Sequence, residues 1–238
     1  MDNFRRITPG IDTFPGYSLP RHRHFAAYAT VVLSGSFEES GYAGRICARA
    51  GDVLIHPAMD CHANHIVSGK VSLIRLDWKD SDGTGRFLHL DDVDELARVA
   101  ERNPREASSL LKDTLEKKVA SPLHGANDWP DLLANELAQN PSIAIGTWAL
   151  MHDLAPESVS RGFSAAYGIA PTGFRGELRA RTAWLRITRG SDSLCAIAAE
   201  TGFADQAHMT RWMHRISGAP PAVWRRQSSF LRVDQRAR

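Results

Sequence analysis

The alternation of hydrophobic and polar residues divides the chain into a first part typical of strands and a second part typical of helices. In the first part, short apolar runs are separated by turns such as Ser34-Gly35 and Gly51-Asp52. Short strands at this spacing predict a small jelly-roll barrel. The predicted strands cover residues 26–33, 37–42, 45–48, 53–55, 61–67 and 70–78.

The second part contains two segments in which a short helix, a sharp turn and another helix follow one another. In the later segment, Ser193 and Asp205 are placed to cap the two helices, and Gly202 suits the turn between them. Apolar residues at helical spacing predict the buried stripe of the second helix: Met209, Trp212, Met213 and Ile216. The opposite face then carries Gln206, Ala207, Thr210, Arg211 and His214.

The earlier segment follows the same plan. Helical spacing predicts a supporting helix with Ile145, Trp148, Ala149 and His152 on one face. Asp153 occupies the turn, and Pro156 fits the first turn of the next helix. Val159, Phe163 and Ala166 predict its buried stripe, which leaves Glu157, Ser160, Arg161 and Ser164 facing outward.

A longer helix is predicted between the two segments, over residues 171–186, where Phe174, Leu178, Arg181 and Leu185 follow helical spacing. About 17 helical residues span about 26 Å. That length is compatible with two recognition helices that enter successive major grooves about 34 Å apart. The exposed residue types suit base recognition, because Gln pairs with adenine, Arg with guanine and Glu with cytosine, while Thr and Ala contact the thymine methyl group.

Residues 140–228 resemble the DNA-binding domain of the AraC/XylS family of bacterial transcription regulators. The resemblance implies a seven-helix, two-unit domain that binds a promoter asymmetrically, with base contacts from Glu157, Ser160, Arg161, Gln206, Ala207, Thr210 and Arg211. Two residues depart from the family pattern, Asp153 where the family usually has Gly and Ala155 where it usually has Ser. The matching residues are Ser160–Phe163, Tyr167–Pro171, Phe174-Arg175, Arg179–Arg181, Ile197-Ala198, Gly202–Gln206, His208–Arg211 and Gly218–Arg225.

The first part resembles the cupin sensor domain that precedes the DNA-binding part in many AraC-type regulators. The matching pieces are Pro20–His24, Val32–Gly35 and Gly51–Pro57, followed by His62. The resemblance implies an effector pocket inside the barrel, for which the candidates are His22, His24, Tyr28 and His62. His56 and His65 are expected at the surface or at the rim of the pocket.

The three pocket histidines leave two interpretations open. His22 and His24 alternate along a strand and so point to one side, where His62 can join them. Three converging imidazoles can bind Fe, Zn, Ni or Cu. Tyr28, however, stands where the cupin pattern usually has Glu, and regulatory cupins often keep these histidines without a metal. A packing or pocket role, with no cofactor, is therefore the prediction, and a metal-dependent cupin oxygenase is the alternative for residues 1–78.

Between the two parts, apolar periodicity predicts a helix that opens at Leu90 and a second helix over residues 105–119. The apolar stripe of these helices has two interpretations, a homodimer contact, as the AraC resemblance suggests, or packing on the barrel of the same chain. The predicted organisation is a sensor and dimerisation domain at 1–120, a linker at 121–128 and the DNA-binding domain at 129–238, with a frayed tail after residue 230.

The charge distribution agrees with a nucleic-acid partner for the second part. Residues 157–238 contain thirteen arginines and six acidic residues, whereas residues 1–130 carry an excess of two negative charges. The net charge of +2 therefore conceals a basic end. The three cysteines form no CxxC pair, which disfavours a zinc ribbon or a disulfide framework.

The predicted fold class is α+β with two domains, a cupin-like barrel with helices followed by an all-α domain with two helix-turn-helix units. The predicted function is a sequence-specific DNA-binding transcription regulator, not an enzyme, whose barrel responds to a small-molecule effector. Its predicted partners are double-stranded promoter DNA, a small effector, RNA polymerase and a second copy of the chain. The absence of an apolar signal core or membrane-length run predicts a cytoplasmic protein with no membrane partner.

Overall fold

The computed structural model describes residues 8–16, 18–66, 69–79, 85–116 and 128–227. The chain forms two compact units, Met1–Leu132 with Ala165–Gly168, and Leu133–Ser164 with the residues from Ile169 onward. The predicted linker up to residue 127, the end of the second predicted helix at 117–119 and the predicted tail after residue 230 lie outside the described residues.

The described residues of the first unit form nine strands in two antiparallel sheets. The five-stranded sheet has the order β1-β8-β3-β6-β9, and the four-stranded sheet has the order β2-β7-β4-β5. The crossovers between non-consecutive strands agree with the predicted jelly-roll type of barrel. The strands are β1 Gly10–Pro15, β2 Ser18–Arg23, β3 Tyr28–Ser34, β4 Ser36–Gly41, β5 Gly44–Arg49, β6 Asp52–His56, β7 Cys61–His65, β8 Lys70–Asp77 and β9 Arg86–His89.

Strand β8 carries apolar residues on both faces because both faces are covered. Val71 and Leu73 face a cavity of the barrel. Ile74 and Leu76, which are fully buried, lie in a core with two helices, α1 (Asp94–Arg102) and α2 (Pro104–Leu115). One face of the five-stranded sheet therefore supports the cavity and the other supports the helices.

Helices α1 and α2 pack on the sheet of their own chain. Their buried residues Leu96, Ala100, Ala107 and Leu111 join strand residues such as Val31 in one hydrophobic core. The apolar stripe therefore packs on the barrel of the same chain, which is one of the two interpretations. Because these four residues are buried there, they do not form the homodimer contact of the other interpretation.

Three elements of the first unit differ from the sequence-based expectation. Strands β1 and β9 lie outside the predicted strands. They are edge strands, each paired with one neighbour, and their sequences lack the long apolar alternation of the central strands. Helix α1 begins at Asp94 rather than near Leu90, because the Leu90 amide donates to the Gly51 carbonyl at 2.8 Å and stays with the sheet.

Residues 129–227 form seven helices, as the family resemblance implies. Helix α6 packs against α7 and α8, and Phe163 of α5 meets Phe174 of α6 edge to face at 5.3 Å between ring centroids. The most buried face of α6 includes Ala180, Ala183 and Ile187, while Leu178 and Leu185 are only partly buried. The helices are α3 Trp129–Gln139, α4 Ile145–Met151, α5 Pro156–Tyr167, α6 Pro171–Arg189, α7 Leu194–Glu200, α8 Gln206–Ser217 and residues 221–227.

The predicted fold class, a β-rich first domain and a helical second domain, is confirmed. Within the described ranges, no helix combines the length and the apolar character needed to cross a membrane.

Candidate nucleic-acid interface and barrel cavity

The later helix-turn-helix unit is built from α7, the turn at Gly202 and α8. The Ser193 side chain accepts a hydrogen bond from the Ala196 amide at 3.1 Å, and Asp205 accepts from the His208 amide at 2.6 Å. Gly202 has a φ of +78°, a left-handed conformation that an L-residue adopts only at a cost. Both predicted caps and the predicted turn are confirmed.

Helix α8 presents a continuous polar surface. Met209, Met213 and Ile216 are buried on one side. On the other side, Gln206, Ala207 and Arg211 are exposed and Thr210 is half-buried, so the four predicted reading residues of this helix share one accessible face.

Trp212 is only partly buried, in contrast to its predicted place in the buried stripe. Its ring lies against Gly176 of α6, where a Cβ atom would fall 2.2 Å from the ring. Its Nε1 donates to His208 Nε2 at 3.1 Å, and the Arg215 guanidinium lies 5.1 Å from the ring centroid. The Trp212 ring therefore packs α8 against α6, and the side chain remains partly exposed.

The earlier unit consists of α4, a turn at Asp153 and α5. Asp153 has a φ of +53°, so it adopts the left-handed conformation for which the family uses Gly. On α5, Glu157, Ser160 and Arg161 are exposed, and Val159 and Phe163 are buried. The three predicted reading residues of α5 thus lie on its accessible side.

Replacing Asp153 by Gly is expected to stabilise the helical unit by up to about 1 kcal/mol, because glycine adopts a positive φ without a Cβ penalty. Thermal unfolding of the two proteins measures the change. A lower unfolding temperature for Asp153→Gly would show that the Asp153 side chain stabilises this turn by more than its backbone conformation costs.

Several arginines of the helical unit are engaged within it. Arg175 donates to the Ile143 carbonyl at 3.0 Å and Arg179 to the Pro141 carbonyl at 2.5 Å. Arg186 pairs with Asp192 at 2.8 Å and also with Glu200. The excess of basic residues therefore overstates the charge that this unit presents to phosphate, whereas Arg161 and Arg211 project outward.

The barrel of the first unit contains a cavity of about 130 Å³ between its two sheets. The four predicted pocket residues, His22, His24, Tyr28 and His62, all line it, although strand β2 ends at Arg23, one residue before His24. The other lining residues are Phe14, Leu19, Thr30, Phe37, Glu39, Asn64, Ile66, Val71, Leu73 and Arg75.

The three histidines form a compact buried cluster. The ring centroids of His22 and His62 are 4.6 Å apart, and those of His22 and His24 are 4.8 Å apart. His22 Nδ1 lies 2.9 Å from the Pro20 carbonyl, which can only accept, so this nitrogen carries the hydrogen. The Tyr28 hydroxyl lies 3.2 Å from His62 Nε2. Burial, and after it the charges of Glu39 and Asp60, raise the pKa of Tyr28 well above its ordinary value, so its hydroxyl keeps its proton.

A buried acid–histidine network adjoins the cluster and was not predicted. His56, expected at the surface or rim, is 3% exposed, and its Nδ1 lies 3.0 Å from Asp60 Oδ2 and 3.7 Å from Glu39 Oε1. Burial would lower the pKa of His56, but the Glu39 and Asp60 carboxylates outweigh it and raise that pKa above its ordinary value. Burial would likewise raise the pKa of Asp60, but the hydrogen bond from His56 and the nearby imidazole of His62, at 3.5 Å, hold that pKa well below its usual range.

The sequence carried a signal for part of this network. Phe37 and Glu39 alternate on β4, so an inward Phe37 places Glu39 inside the barrel as well. Asn64 of β7 donates to Glu39 Oε2 at 2.9 Å.

The donor set has the chemistry of a metal site. One ligand atom from each of His22, His24 and His62 lies within 4.8 Å of the others, and Glu39, His56 and His62 form a second such group. Imidazole nitrogens suit Fe, Zn, Ni and Cu, and a bond from His22 Nδ1 to a carbonyl leaves Nε2 to coordinate. The carboxylate that usually completes the cupin set is replaced by Tyr28, so a pocket without a cofactor stays the prediction and metal binding by these residues stays the alternative.

Comparison with known protein families finds a match in the helical unit. Residues 148–227 match the family model "Helix-turn-helix domain". No relative of significant similarity is found among curated proteins.

Solved structures resemble the chain only weakly. ToxT from Vibrio cholerae, with a bound unsaturated fatty acid, is 8% identical, with 91% of this chain and 94% of that chain covered and a TM-score of 0.40. A probable AraC family regulator from Rhodopseudomonas palustris is 17% identical over 40% of this chain and 93% of its own, with a TM-score of 0.38. The C-terminal domain of the response regulator yesN from Fusobacterium nucleatum is 18% identical over 40% and 94%, with a TM-score of 0.37.

Because these TM-scores are low, the functional assignment rests on the family match over residues 148–227. That match begins within α4 and includes both turns and both recognition helices. The chain is therefore a DNA-binding transcription regulator with a helix-turn-helix domain over residues 148–227.

Proposed function

We propose that this regulator recognises a promoter by placing α5 and α8 in successive major grooves. The observation that supports it most directly is the repeated helix-turn-helix geometry, in which each second helix buries one apolar side and exposes a polar one. Helix α6, with 19 residues, spans about 28 Å, which is compatible with a groove spacing of about 34 Å. The proposed base-reading residues are Glu157, Ser160 and Arg161 on α5, and Gln206, Ala207, Thr210 and Arg211 on α8.

Arg211→Ala is expected to weaken binding to the cognate site by about 1–3 kcal/mol and to relax the preference at one base position, because an arginine that pairs with guanine is removed. Arg161→Ala should do the same at a second position about one helical turn away. Selection of bound sequences from a random DNA pool, followed by titration of the selected site, measures both effects.

Arg105→Ala provides the matched control, since Arg105 is an exposed arginine on α2 of the other unit. It should leave the selected site and its affinity unchanged. Selected sites that are identical for the native chain, Arg161→Ala and Arg211→Ala would contradict recognition by two helices.

The barrel cavity is the proposed effector site, with His22, His24, Tyr28 and His62 as its binding residues. An effector that binds one domain arrangement better than another would shift the population toward it. The support is a cavity lined both by apolar side chains and by buried polar groups, a combination typical of small-molecule sites.

Regulation rather than catalysis is the proposed role of the barrel, which acts without a bound cofactor. A cupin oxygenase is the alternative, favoured by the grouping of His22, His24 and His62. Elemental analysis of the purified chain separates the two: stoichiometric iron together with turnover of a small substrate would favour the oxygenase.

The remaining proposals concern organisation. The domains are proposed at 1–120 and 129–238, and a homodimer would use residues other than the buried stripe of α1 and α2. RNA polymerase is a further proposed partner, for which the exposed Leu150 and Met151 at the end of α4 offer an apolar contact. Because its proposed partner is promoter DNA, the cytoplasm is the proposed location.

A further inference from the structure

The volume of the barrel cavity limits what it can hold. An apolar cavity of about 150 Å³ accommodates benzene. The cavity here, about 130 Å³, is slightly smaller. One six-membered ring fills it, whereas a fused two-ring molecule or a long acyl chain exceeds it.

The walls of the cavity suit a flat apolar ring. Phe14 and Phe37 supply aromatic faces and edges, and Arg75 lies over the Phe14 ring at 5.3 Å from its centroid. Aromatic rings in such surroundings gain from edge-to-face and offset contacts in addition to burial. The aliphatic lining consists of Leu19, Ile66, Val71 and Leu73.

The polar side chains that line the cavity would pair with a ligand group that both donates and accepts a hydrogen bond. The Glu39 carboxylate can only accept, and His22, with its hydrogen on Nδ1, has an accepting Nε2 when neutral. Arg75 Nε is a buried donor with no hydrogen-bond partner among the described residues. A hydroxyl group satisfies both requirements, because it donates once and accepts through its lone pairs.

The charges at this polar lining disfavour an anionic ligand. Arg75 already pairs with Asp12, and His56 lies between Glu39 and Asp60. The carboxylates of Asp12, Glu39 and Asp60 thus already face three basic side chains, those of Arg75, His56 and His62. A ligand carboxylate would add a fourth negative charge in a buried place, where an unpaired ion is costly.

On the basis of the proposed effector role, we propose that the cavity binds a phenol: a single aromatic ring with one or two hydroxyl groups and no carboxylate. The ring would lie among the phenylalanines and aliphatic residues. The hydroxyl would donate to Glu39 or His22 and accept from Arg75.

Calorimetric titration of the full chain tests the class directly, with phenol and catechol as the probes. Benzoate has the same ring with a carboxylate, and 2-naphthol has the same hydroxyl on two rings. We expect phenol or catechol to bind one per chain, and both comparison compounds to bind about tenfold more weakly or worse, since each leaves a polar group unpaired or exceeds the volume.

Two variants place the ligand in the cavity. Phe37→Trp fills the cavity and should reduce phenol affinity at least about tenfold. Phe25→Trp is the matched control, because Phe25 is 40% exposed and does not line the cavity, and it should leave the affinity unchanged. Hydrogen exchange of the β3 and β6 amides in each variant, measured in parallel, shows that the barrel is folded.

Several results would overturn the proposal. Benzoate or 2-naphthol binding as tightly as phenol would refute the charge or the volume argument, and equal loss in both Trp variants would place the ligand elsewhere. Zn²⁺ or Fe²⁺ binding at one per chain without any phenol binding would assign the cavity to a metal. Operator binding without phenol binding would end the phenol proposal and leave the regulator intact, whereas phenol binding that never changes operator affinity would support the ligand class and end the effector role.

Discussion

Gly176→Ala is expected to destabilise the helical unit by on the order of 3 kcal/mol, the upper end of the cost of overpacking a core. The new Cβ would lie 2.2 Å from the Trp212 ring, so the ring or the whole of α8 must move away from α6. DNA binding is expected to be lost with it, because α8 would no longer be held in its place. Hydrogen exchange of the α8 amides and titration with operator DNA measure the two effects.

The chain offers a matched control in Gly146→Ala. Gly146 lies in α4, and a Cβ there would meet no heavy atom within 4 Å. Because alanine is the better helix former, this variant should be neutral or slightly stabilising. If Gly176→Ala kept native hydrogen-exchange protection of the α8 amides and native operator affinity, the close contact between Gly176 and the Trp212 ring would have no structural importance.

Asp60→Ala is expected to destabilise the barrel by about 3 kcal/mol, the lower end of the cost of breaking a buried ion pair. It leaves the imidazole of His56 without its 3.0 Å partner in a buried place, although Glu39 still faces it at 3.7 Å. Hydrogen exchange of the β3 and β6 amides reports on this unit separately from the helical one. Asp52→Ala is the matched control, since Asp52 pairs with a His89 side chain that is 40% exposed and should cost much less.

The same pair predicts the pH dependence of barrel stability. The pKa of Asp60 is depressed, so its contribution is present above the ordinary value of 3.8 and is lost as the pH falls through the depressed pKa. The pKa of His56 is raised, so its contribution is complete below 6.5 and is lost as the pH rises through the raised pKa. Barrel stability should therefore be greatest between about 3.8 and 6.5 as far as this pair is concerned. His56→Gln should flatten the alkaline side, and an unchanged profile would refute the assignment.

The helical unit was predictable from the sequence because its signals are local. A cap at Ser193 or Asp205 and a left-handed turn at Gly202 depend on neighbours within a few residues. Trp212 was misplaced because its burial depends on the gap at Gly176, which lies 36 positions earlier in the chain. Helical spacing alone cannot show that gap.

The barrel was less predictable because its polar groups are assembled from distant strands. Glu39 of β4 reaches His56 of β6 only because the two sheets pack together, whereas Asp60 lies four residues after His56. The four predicted pocket residues could be found because a known motif marks them. Their neighbours Arg75 and Asn64 belong to no such motif, so nothing in the sequence separated them from ordinary strand residues.

The engagement of Arg175, Arg179 and Arg186 with groups of their own unit has a consequence for the ionic strength at which the regulator works. Each phosphate contact releases condensed counterions and steepens the logarithmic dependence of binding on salt by about 0.9. Arginines occupied by carbonyls and carboxylates release none. Occupancy of the operator should therefore survive osmotic upshift better than a tally of thirteen arginines suggests.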